Sequence, residues 1–306
     1  MLAALLCTCL FSFSIVCGHR SARLIGGTEA NFWRLVVAGI CLGAWAFGFG
    51  RGLDGAAFPL FLLSGIVGIG IGDLGLFQAL PRLGSRLSVL LIQCLTAPLG
   101  ALVEWLWLGT ALHASQIICG LVVLSGVGLA LLPSEHLRIE RRVRIAGTGF
   151  SLLAAVGGAW GAVLSRKAYE VAHLNQQPID GGNAAFQRIV GGLLVAAIGV
   201  LVVKRRALRI QAQAPPALVL QAAKHKWRGV WPWVLANGVA GQTFGVSCMQ
   251  WALETTPTGI VLAIIAMTPI AVIPFAMLME GERPTTHSLV GGIIAVAGVI
   301  GLVLVK

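Results

Sequence analysis

The chain contains the stretch GGTEANFWRLV at residues 26–36 and a second copy of it, GGNAAFQRIV, at residues 181–190. Each copy ends in a Phe-x-Arg followed by apolar residues, and the first has one extra residue. Weaker matches continue along the chain, pairing Ala79-Leu80 with Ala252-Leu253 and Thr96 with Thr268. The sequence is therefore built from two copies of one unit.

The composition indicates the class of protein to which the chain belongs. Of its 306 residues, 57% are hydrophobic and 11% are charged, and the mean hydropathy is +0.89. Soluble domains carry about 25% charged residues, so this chain cannot supply a polar shell for a soluble core. Its apolar residues lie in runs of about 20, the length that crosses a hydrocarbon layer about 30 Å thick. The sequence predicts an all-α integral membrane protein.

The apolar runs predict ten transmembrane segments, at residues 2–18, 32–50, 57–80, 86–108, 114–133, 147–168, 185–203, 230–252, 257–279 and 286–305. Five segments fall in each copy of the repeat, giving two units at 1–133 and 147–306 joined by a basic linker at 134–146. Because five is an odd number, the second unit must enter the membrane from the opposite side. We expect two inverted five-helix repeats around a central cavity.

The net charge of +11 comes from basic residues between the apolar runs, as at Lys204-Arg205-Arg206. This placement indicates topogenic residues that face anionic lipid, and no nucleic-acid-binding motif accompanies it. Sixteen Lys and Arg residues follow odd-numbered segments and four lie on the opposite side. The charge count predicts cytoplasmic odd-numbered loops with both termini outside, in a multi-pass protein of the cell membrane, or of the inner membrane in a bacterium.

Several of these residues resemble motifs of the EamA-like ten-helix transporters in the drug/metabolite transporter superfamily. The resemblance spans essentially the whole chain and rests on the residues Arg34, Arg188, Pro98, Pro269, Gly281 and Glu282. The first copy departs from the family at Thr110, where the family's turn usually carries Glu. The resemblance implies ten helices around a central cavity that move small organic metabolites. It also implies cytoplasmic termini, opposite to the charge count.

Two acidic residues lie well inside apolar segments, Asp73 in segment 3 and Glu104 in segment 4. Ionisable groups at membrane depth cost several kcal/mol unless they face a cavity or a partner. Segment 4 also carries a stripe of polar, small and aromatic residues at helical spacing: Gln93, Ala97, Gly100, Glu104 and Trp107. We expect this stripe to face the central cavity, with Asp73 close to it. Packing of small residues between helices is the alternative.

Further candidates for the substrate pathway are Trp160 in segment 6 and the polar or aromatic residues of segment 8, Asn237, Gln242, Gln250 and Trp251. With segments 3, 4 and 9, these would complete the lining of the cavity. Arg34 and Arg188 stand at segment starts, where they are expected to anchor the helices at the headgroup level.

The pattern favours a secondary transporter with alternating access between its two halves, and export is the expected direction. The expected partners are a small-molecule substrate and membrane lipid, and a homo-oligomer is compatible with the sequence. Asp73 or Glu104 would permit proton coupling.

The alternative is a membrane enzyme or lipid-handling protein with an unrecognised site. Gly70-Ile71-Gly72-Asp73 matches a motif of intramembrane aspartyl proteases, but no second Asp lies at membrane depth to complete the dyad. We expect no enzymatic activity, cofactor or metal.

Overall fold

The computed structural model describes residues 1–130, 140–211, 227, 229–280 and 286–304. All the regular secondary structure in these ranges is helical. The first half contains α1 (Leu2–Ile25), α2 (Gly27–Gly48), α3 (Phe58–Ser64), the π-helix π1 (Gly65–Ile71), α4 (Gly72–Leu108) and α5 (Ala114–Ala130). The second half contains α6 (Arg141–Leu174), α7 (Gly181–Gln211), α8 (Trp231–Asn237), π2 (Gly238–Gly245), α9 (Val246–Thr255), α10 (Thr258–Ile265), α11 (Thr268–Glu280) and α12 (Thr286–Leu304).

Seven helical stretches are long and apolar enough to cross a membrane, judged on the described residues. They are Leu2–Ile25, Gly27–Gly48, Phe58–Leu80, Leu91–Leu108, Arg141–Leu174, Gly181–Arg205 and Thr258–Phe275. Ala114–Leu129 and Leu289–Leu302 are apolar but shorter. The helical stretch of segment 8 is less apolar than these, because it contains the side-chain amides of Asn237, Gln242 and Gln250. The all-helical membrane class is confirmed, whereas the number of ten crossings stays a prediction.

Helix α4 contains a reversal of chain direction. Gly72 and Thr96 both pack against Gly158 of α6: a Cβ added at Gly72 would lie 3.6 Å from the Gly158 nitrogen, and one added at Gly158 would lie 3.3 Å from Thr96 Cγ2. A straight helix would separate residues 72 and 96 by about 36 Å. The chain therefore turns back between them, within the span Gly72–Leu108. We call Leu91–Leu108, which follows the turn, the second arm of α4.

Helices α3 and π1, which lead into α4, pack on α6 through close contacts of small residues. Ser64 Oγ lies 2.9 Å from Ser165 Oγ and donates a hydrogen bond of 2.5 Å to the Gly161 carbonyl. A Cβ added at Gly161 would lie 2.7 Å from the Gly68 Cα, so neither helix tolerates a side chain here. Small residues that let helices approach this closely are characteristic of membrane bundles.

Each half has a π-helical segment in the corresponding place, π1 in the first copy and π2 in the second. Both are rich in glycine, and a Cβ added at Gly65 would collide with the carbonyl oxygen of Arg188. Segments of π-helix are rare and occur frequently at functional sites. A further break separates α10 from α11 at Ala266–Met267, just before Thr268 and Pro269. These irregular stretches surround the centre of the bundle.

Several helices extend beyond the predicted segments. Helix α1 continues to Ile25 rather than ending near residue 18, and α2 begins at Gly27 rather than near residue 32. Helix α6 begins at Arg141, so residues 141–146 of the predicted linker are helical. The apolar runs mark only the part of each helix inside the hydrocarbon layer, and polar residues continue the helix beyond it. The Gly281-Glu282 turn lies outside the described residues.

Candidate functional site: a central polar cavity

A cavity of about 200 Å³ lies at the centre of the bundle. Residues from α1, α2, π1, both arms of α4, α6, α7, π2, α9 and α10 line it. Its polar lining residues are Ser14, Arg34, Asp73, Gln93, Thr96, Arg188 and Gln242. A smaller cavity of about 100 Å³ adjoins it, shares Ser14, Arg34 and Gln93, and adds Asn237. The lining therefore draws on both halves of the chain.

Arg34 and Asp73 form an ion pair in the wall of the cavity. Arg34 Nη2 donates a hydrogen bond of 2.6 Å to Asp73 Oδ2, and Arg34 Nε donates one of 2.9 Å to Asn31 Oδ1. The exposed fractions of the two ion-paired side chains are 8% and 19%. The Arg34 guanidinium also lies 4.8 Å from the centre of the Phe77 ring. Arg34 is thus fixed by an acid, an amide and an aromatic ring.

Arg188 borders the same cavity from α7 and is 3% exposed. Its Nε is buried with no hydrogen-bond partner, and no described carboxylate lies within ion-pair distance of its guanidinium. Glycine at position 68 makes room for its side chain, since a Cβ there would lie 3.0 Å from Arg188 Nη2. The two matching arginines of the repeat therefore have different electrostatic environments.

The expectation that Arg34 and Arg188 anchor the helices at the headgroup level is wrong, because both are buried beside the cavity. Each lies seven residues after the first residue of its helix, which starts at Gly27 or Gly181. Seven residues of helix rise about 10 Å, enough to carry a side chain from the helix end into the bundle. The sequence contained the signal in the paired glycines before each Phe-x-Arg.

Of the predicted pathway residues, Asp73, Gln93 and Gln242 line the central cavity, and Asn237 lines the adjoining one. Asn237 Oδ1 accepts a hydrogen bond of 2.6 Å from Ser14 Oγ. Gln242 is 6% exposed, and its Oε1 has no partner among the described residues. Segments 1, 2 and 7 also contribute to the lining, through Ser14 and the two arginines, and were not expected to.

Glu104 does not line the central cavity, contrary to the expectation from the stripe. Its side chain is buried, with Oε1 accepting a hydrogen bond of 3.0 Å from Arg166 Nε and Oε2 one of 2.6 Å from the Thr258 amide. Arg166 also donates to the Leu253 carbonyl over 3.1 Å. This Glu104 cluster joins α4, α6, α9 and the start of α10. Ala97, Gly100 and Glu104 of the stripe are buried, but at Glu104 the stripe meets α6 and α10 rather than the cavity.

The aromatic candidates lie away from the cavity. Trp107 and Trp160 are 45% and 41% exposed and contact each other, with ring centroids 5.9 Å apart. Trp251 is 55% exposed and borders a separate pocket of about 720 Å³ beside Arg51 and Asp180. Their large apolar rings remain half outside the bundle, which removes them from the predicted wall of the central cavity.

The remaining candidates are distributed through the bundle. Gln250 is fully buried, and neither of its amide atoms has a partner among the described residues. Ala97 and Pro98 line an apolar pocket of about 410 Å³ between the second arm of α4, α5 and α10. Gly100 packs against Leu262 and Thr258, and Pro269 is buried at the start of α11.

The geometry defines a multi-pass helical protein with a small, polar and charged chamber enclosed by both of its halves. The family model of the EamA-like transporter family matches residues 1–132 and 146–304, and the chain belongs to this family of membrane transporters. A solved crystal structure superposes with a TM-score of 0.71 at 16% sequence identity, over 99% of this chain and 96% of that one. This likeness shows a shared fold. No curated protein matches the chain in sequence.

Proposed function

We propose that the protein is a secondary transporter that binds a small organic metabolite in the central cavity and moves it by alternating access. The observation that supports this most directly is the cavity itself, with buried charged groups from both halves of the chain. Charged side chains are costly inside a membrane bundle, and they persist where they face a substrate or ion pathway. Membership of a transporter family points the same way.

Inverted repeats would let the two halves open the cavity alternately to either side. Hydrogen bonds between helices support opposite directions for α1 and α6, the first helix of each half. The Thr8 and Ser12 hydroxyls donate to the carbonyls of Ile264 and Thr268, so α1 runs parallel to α10 and α11. Helix α10 runs away from the Glu104 cluster. Helix α6 runs toward it, because its early residue Gly147 packs on Leu83 and Arg166 lies in the cluster.

A transport assay separates this function from the enzymatic and lipid-handling alternatives. Purified protein in sealed proteoliposomes is offered a panel of small carboxylates, amines and neutral metabolites, and the lumen is analysed by mass spectrometry. We expect at least one compound to appear in the lumen chemically unchanged, faster than in protein-free liposomes. A compound that is converted rather than moved, or lipid that moves while no solute does, would contradict the proposal.

Export across the cell membrane is the proposed direction. The basic residues support an orientation with the Glu104 cluster toward the outside, because the last turns of α1 carry Arg20 and Arg23 and the start of α6 carries Arg141, Arg142 and Arg144. A substrate leaving the cytoplasm would enter past this basic end. Inside-out vesicles that accumulate a substrate while right-side-out vesicles do not would support export, and the reverse would contradict it.

A further inference from the structure

The charges around the central cavity do not balance. Two guanidinium groups, from Arg34 and Arg188, face one carboxylate, from Asp73. Asp73 is bonded to Arg34 over 2.6 Å, and Asn31 holds the same guanidinium over 2.9 Å. Arg188 has no ion-pair or hydrogen-bond partner in the part of the chain that the structure describes, and its Nε is buried. The cavity therefore carries one surplus positive charge, located on α7.

A buried, unpaired charge is costly, and an arginine cannot escape the cost by losing its proton under physiological conditions. Water in the cavity can accept hydrogen bonds from the guanidinium, but it leaves the charge uncompensated. An anion supplies both the missing hydrogen-bond acceptors and the missing negative charge. The planar fork of N–H groups matches the two oxygens of a carboxylate, and such charge-assisted pairs are among the strongest hydrogen bonds in proteins.

We propose that the central cavity binds a small organic monoanion whose carboxylate pairs with Arg188 and accepts a further hydrogen bond from Gln242. This inference rests on the proposed transport function and names the chemical class of its substrate. Gln242 lines the same cavity from π2, is 6% exposed, and has an unpartnered amide oxygen. An amide side chain presents either its oxygen or its NH₂ group by a half-turn. With an anion bound, the NH₂ group faces the carboxylate.

The rest of the cavity lining indicates the size and polarity of the part of the substrate beyond its carboxylate. Apolar side chains from several helices face the cavity, among them Phe11, Leu76, Met249 and Leu262. At about 200 Å³, the chamber suits a compact molecule with one charged end and an apolar remainder. A single surplus charge favours a monoanion over a phosphate dianion. A zwitterion would require a second acid for its ammonium group, and Asp73 is already paired with Arg34.

The test uses three probes that share one ring and differ in charge: benzoate, benzamide and benzylammonium. Their dissociation constants are measured by thermal stabilisation and calorimetry on the purified full-length protein at neutral pH. Ligand binding to the folded state raises the apparent stability, so the shift reports affinity. We expect benzoate to bind at least 10-fold more tightly than benzamide, and benzylammonium to bind more weakly than either. This comparison needs no variant. Equal affinity for benzoate and benzamide, tighter binding of benzylammonium, or no stabilisation by benzoate would overturn the proposal.

Variants locate the site within the protein. Arg188→Gln should lower benzoate affinity at least 10-fold while leaving benzamide affinity within about twofold, and Arg188→Lys should retain an intermediate affinity because it keeps the charge and loses the fork. Arg142→Gln makes the same change at an exposed position of α6 and should leave benzoate binding unchanged. Unchanged benzoate affinity in a folded Arg188→Gln protein would contradict the assignment. If Arg188→Gln does not fold, the comparison of the three probes on the wild-type protein still tests whether the cavity prefers a carboxylate.

Inorganic phosphate tests whether the anion is a carboxylate, and transport assays test whether the anion site and the transport function stand or fall separately. Phosphate should bind more weakly than benzoate, and tighter binding of phosphate would overturn the assignment of a carboxylate. In proteoliposomes, movement of benzylammonium or benzamide without benzoate would contradict this inference and leave the transport function intact. Binding of benzoate at Arg188 together with chemical conversion of solutes and no transport would support the anion site and contradict the transport function.

Discussion

Arg34 and Arg188 occupy matching positions in the two copies of the repeat, yet only Arg34 has an acidic partner. Asp73 supplies that partner, whereas the pairing of Ala79-Leu80 with Ala252-Leu253 aligns Asp73 with the apolar Val246 in the second half. The sequence identified Asp73, Gln93 and Gln242 as polar groups in apolar segments, and all three border the cavity. The paired glycines mark where the helices of Arg34 and Arg188 begin and so indicate the depth of both arginines, but the partner of Arg34 comes from another helix and is not visible in the local sequence.

At the residue scale, the Arg34–Asp73 pair should behave as a coupled unit. Removing one member of a buried ion pair leaves an unpaired charge, which typically costs about 3–5 kcal/mol. We expect Asp73→Asn and Arg34→Gln each to lower the thermal stability of the purified protein strongly. The double variant should lose clearly less than the sum of the two. Fluorescence-detected unfolding in detergent measures all four proteins, and additive losses would show that the pair is not coupled.

At the element scale, Glu104 shows how a correct helical face can lead to the wrong site. The spacing places Gln93 and Glu104 on one face of the second arm of α4, where Gln93 lines the cavity and Glu104 is buried. A helix of this length crosses several neighbours, however, and the same face meets the cavity at Gln93 and the α6–α10 contact at Glu104. The two predicted segments 57–80 and 86–108 correspond to the two sides of the reversal within α4. Spacing defines a face but not which partner each turn meets.

Glu104→Gln is therefore expected to act on stability rather than on substrate binding. The glutamine keeps an acceptor for the Thr258 amide but loses the charge that pairs with Arg166, in a site where Glu104 is 1% exposed. We expect a fall in stability of about 3 kcal/mol. Glu170→Gln is the matched control, because Glu170 pairs with Lys167 on the same helix as Arg166 at 50% exposure, where such pairs are worth little.

Thermal unfolding and benzoate affinity are measured on both variants. Glu104→Gln should unfold at a lower temperature with benzoate affinity unchanged, and Glu170→Gln should match the wild type in both. A Glu104→Gln protein with normal stability and altered binding would place Glu104 in the substrate pathway after all.

The close approach of π1 to α7 gives a second prediction at this scale. Gly65 packs directly on the backbone of Arg188, so even the methyl group of alanine would force the two helices apart. We expect Gly65→Ala to reduce the yield of monodisperse protein severely. Gly149→Ala in α6 is the control, since a Cβ there meets nothing within 4 Å. Size-exclusion profiles of fluorescent fusions compare the two, and a normal profile for Gly65→Ala would contradict the packing.

At the scale of the whole molecule, the repeat and the composition were sufficient to predict the helical membrane class and the transporter family. The repeat is visible because both copies need the same helix start, glycine contacts and chain breaks. The charge distribution predicts termini outside the cell, opposite to the cytoplasmic termini that the family resemblance implies. The central chamber could not be derived in detail, because it forms where residues from positions 11 to 265 converge across both halves.

The orientation is tested by labelling single cysteines in a protein whose seven native cysteines have been replaced. With 16 basic residues on one side and four on the other, Arg142 should face the cytoplasm and Arg51 the outside. In intact cells, a membrane-impermeant thiol reagent should label Arg51→Cys and spare Arg142→Cys until the membrane is permeabilised. Labelling of Arg142→Cys alone would mean that the termini lie in the cytoplasm.

Alternating access requires that one chamber is reached in turn from both faces of the membrane. Gln93 borders both the central cavity and the adjoining one, and it is suited to a single-cysteine probe in the same background. An impermeant thiol reagent is applied to right-side-out and to inside-out vesicles, with Arg51→Cys and Arg142→Cys reporting the two faces. We predict that Gln93→Cys reacts from both sides while each control reacts from one. Reaction of Gln93→Cys from a single side, with both controls behaving as expected, would contradict alternating access through this cavity.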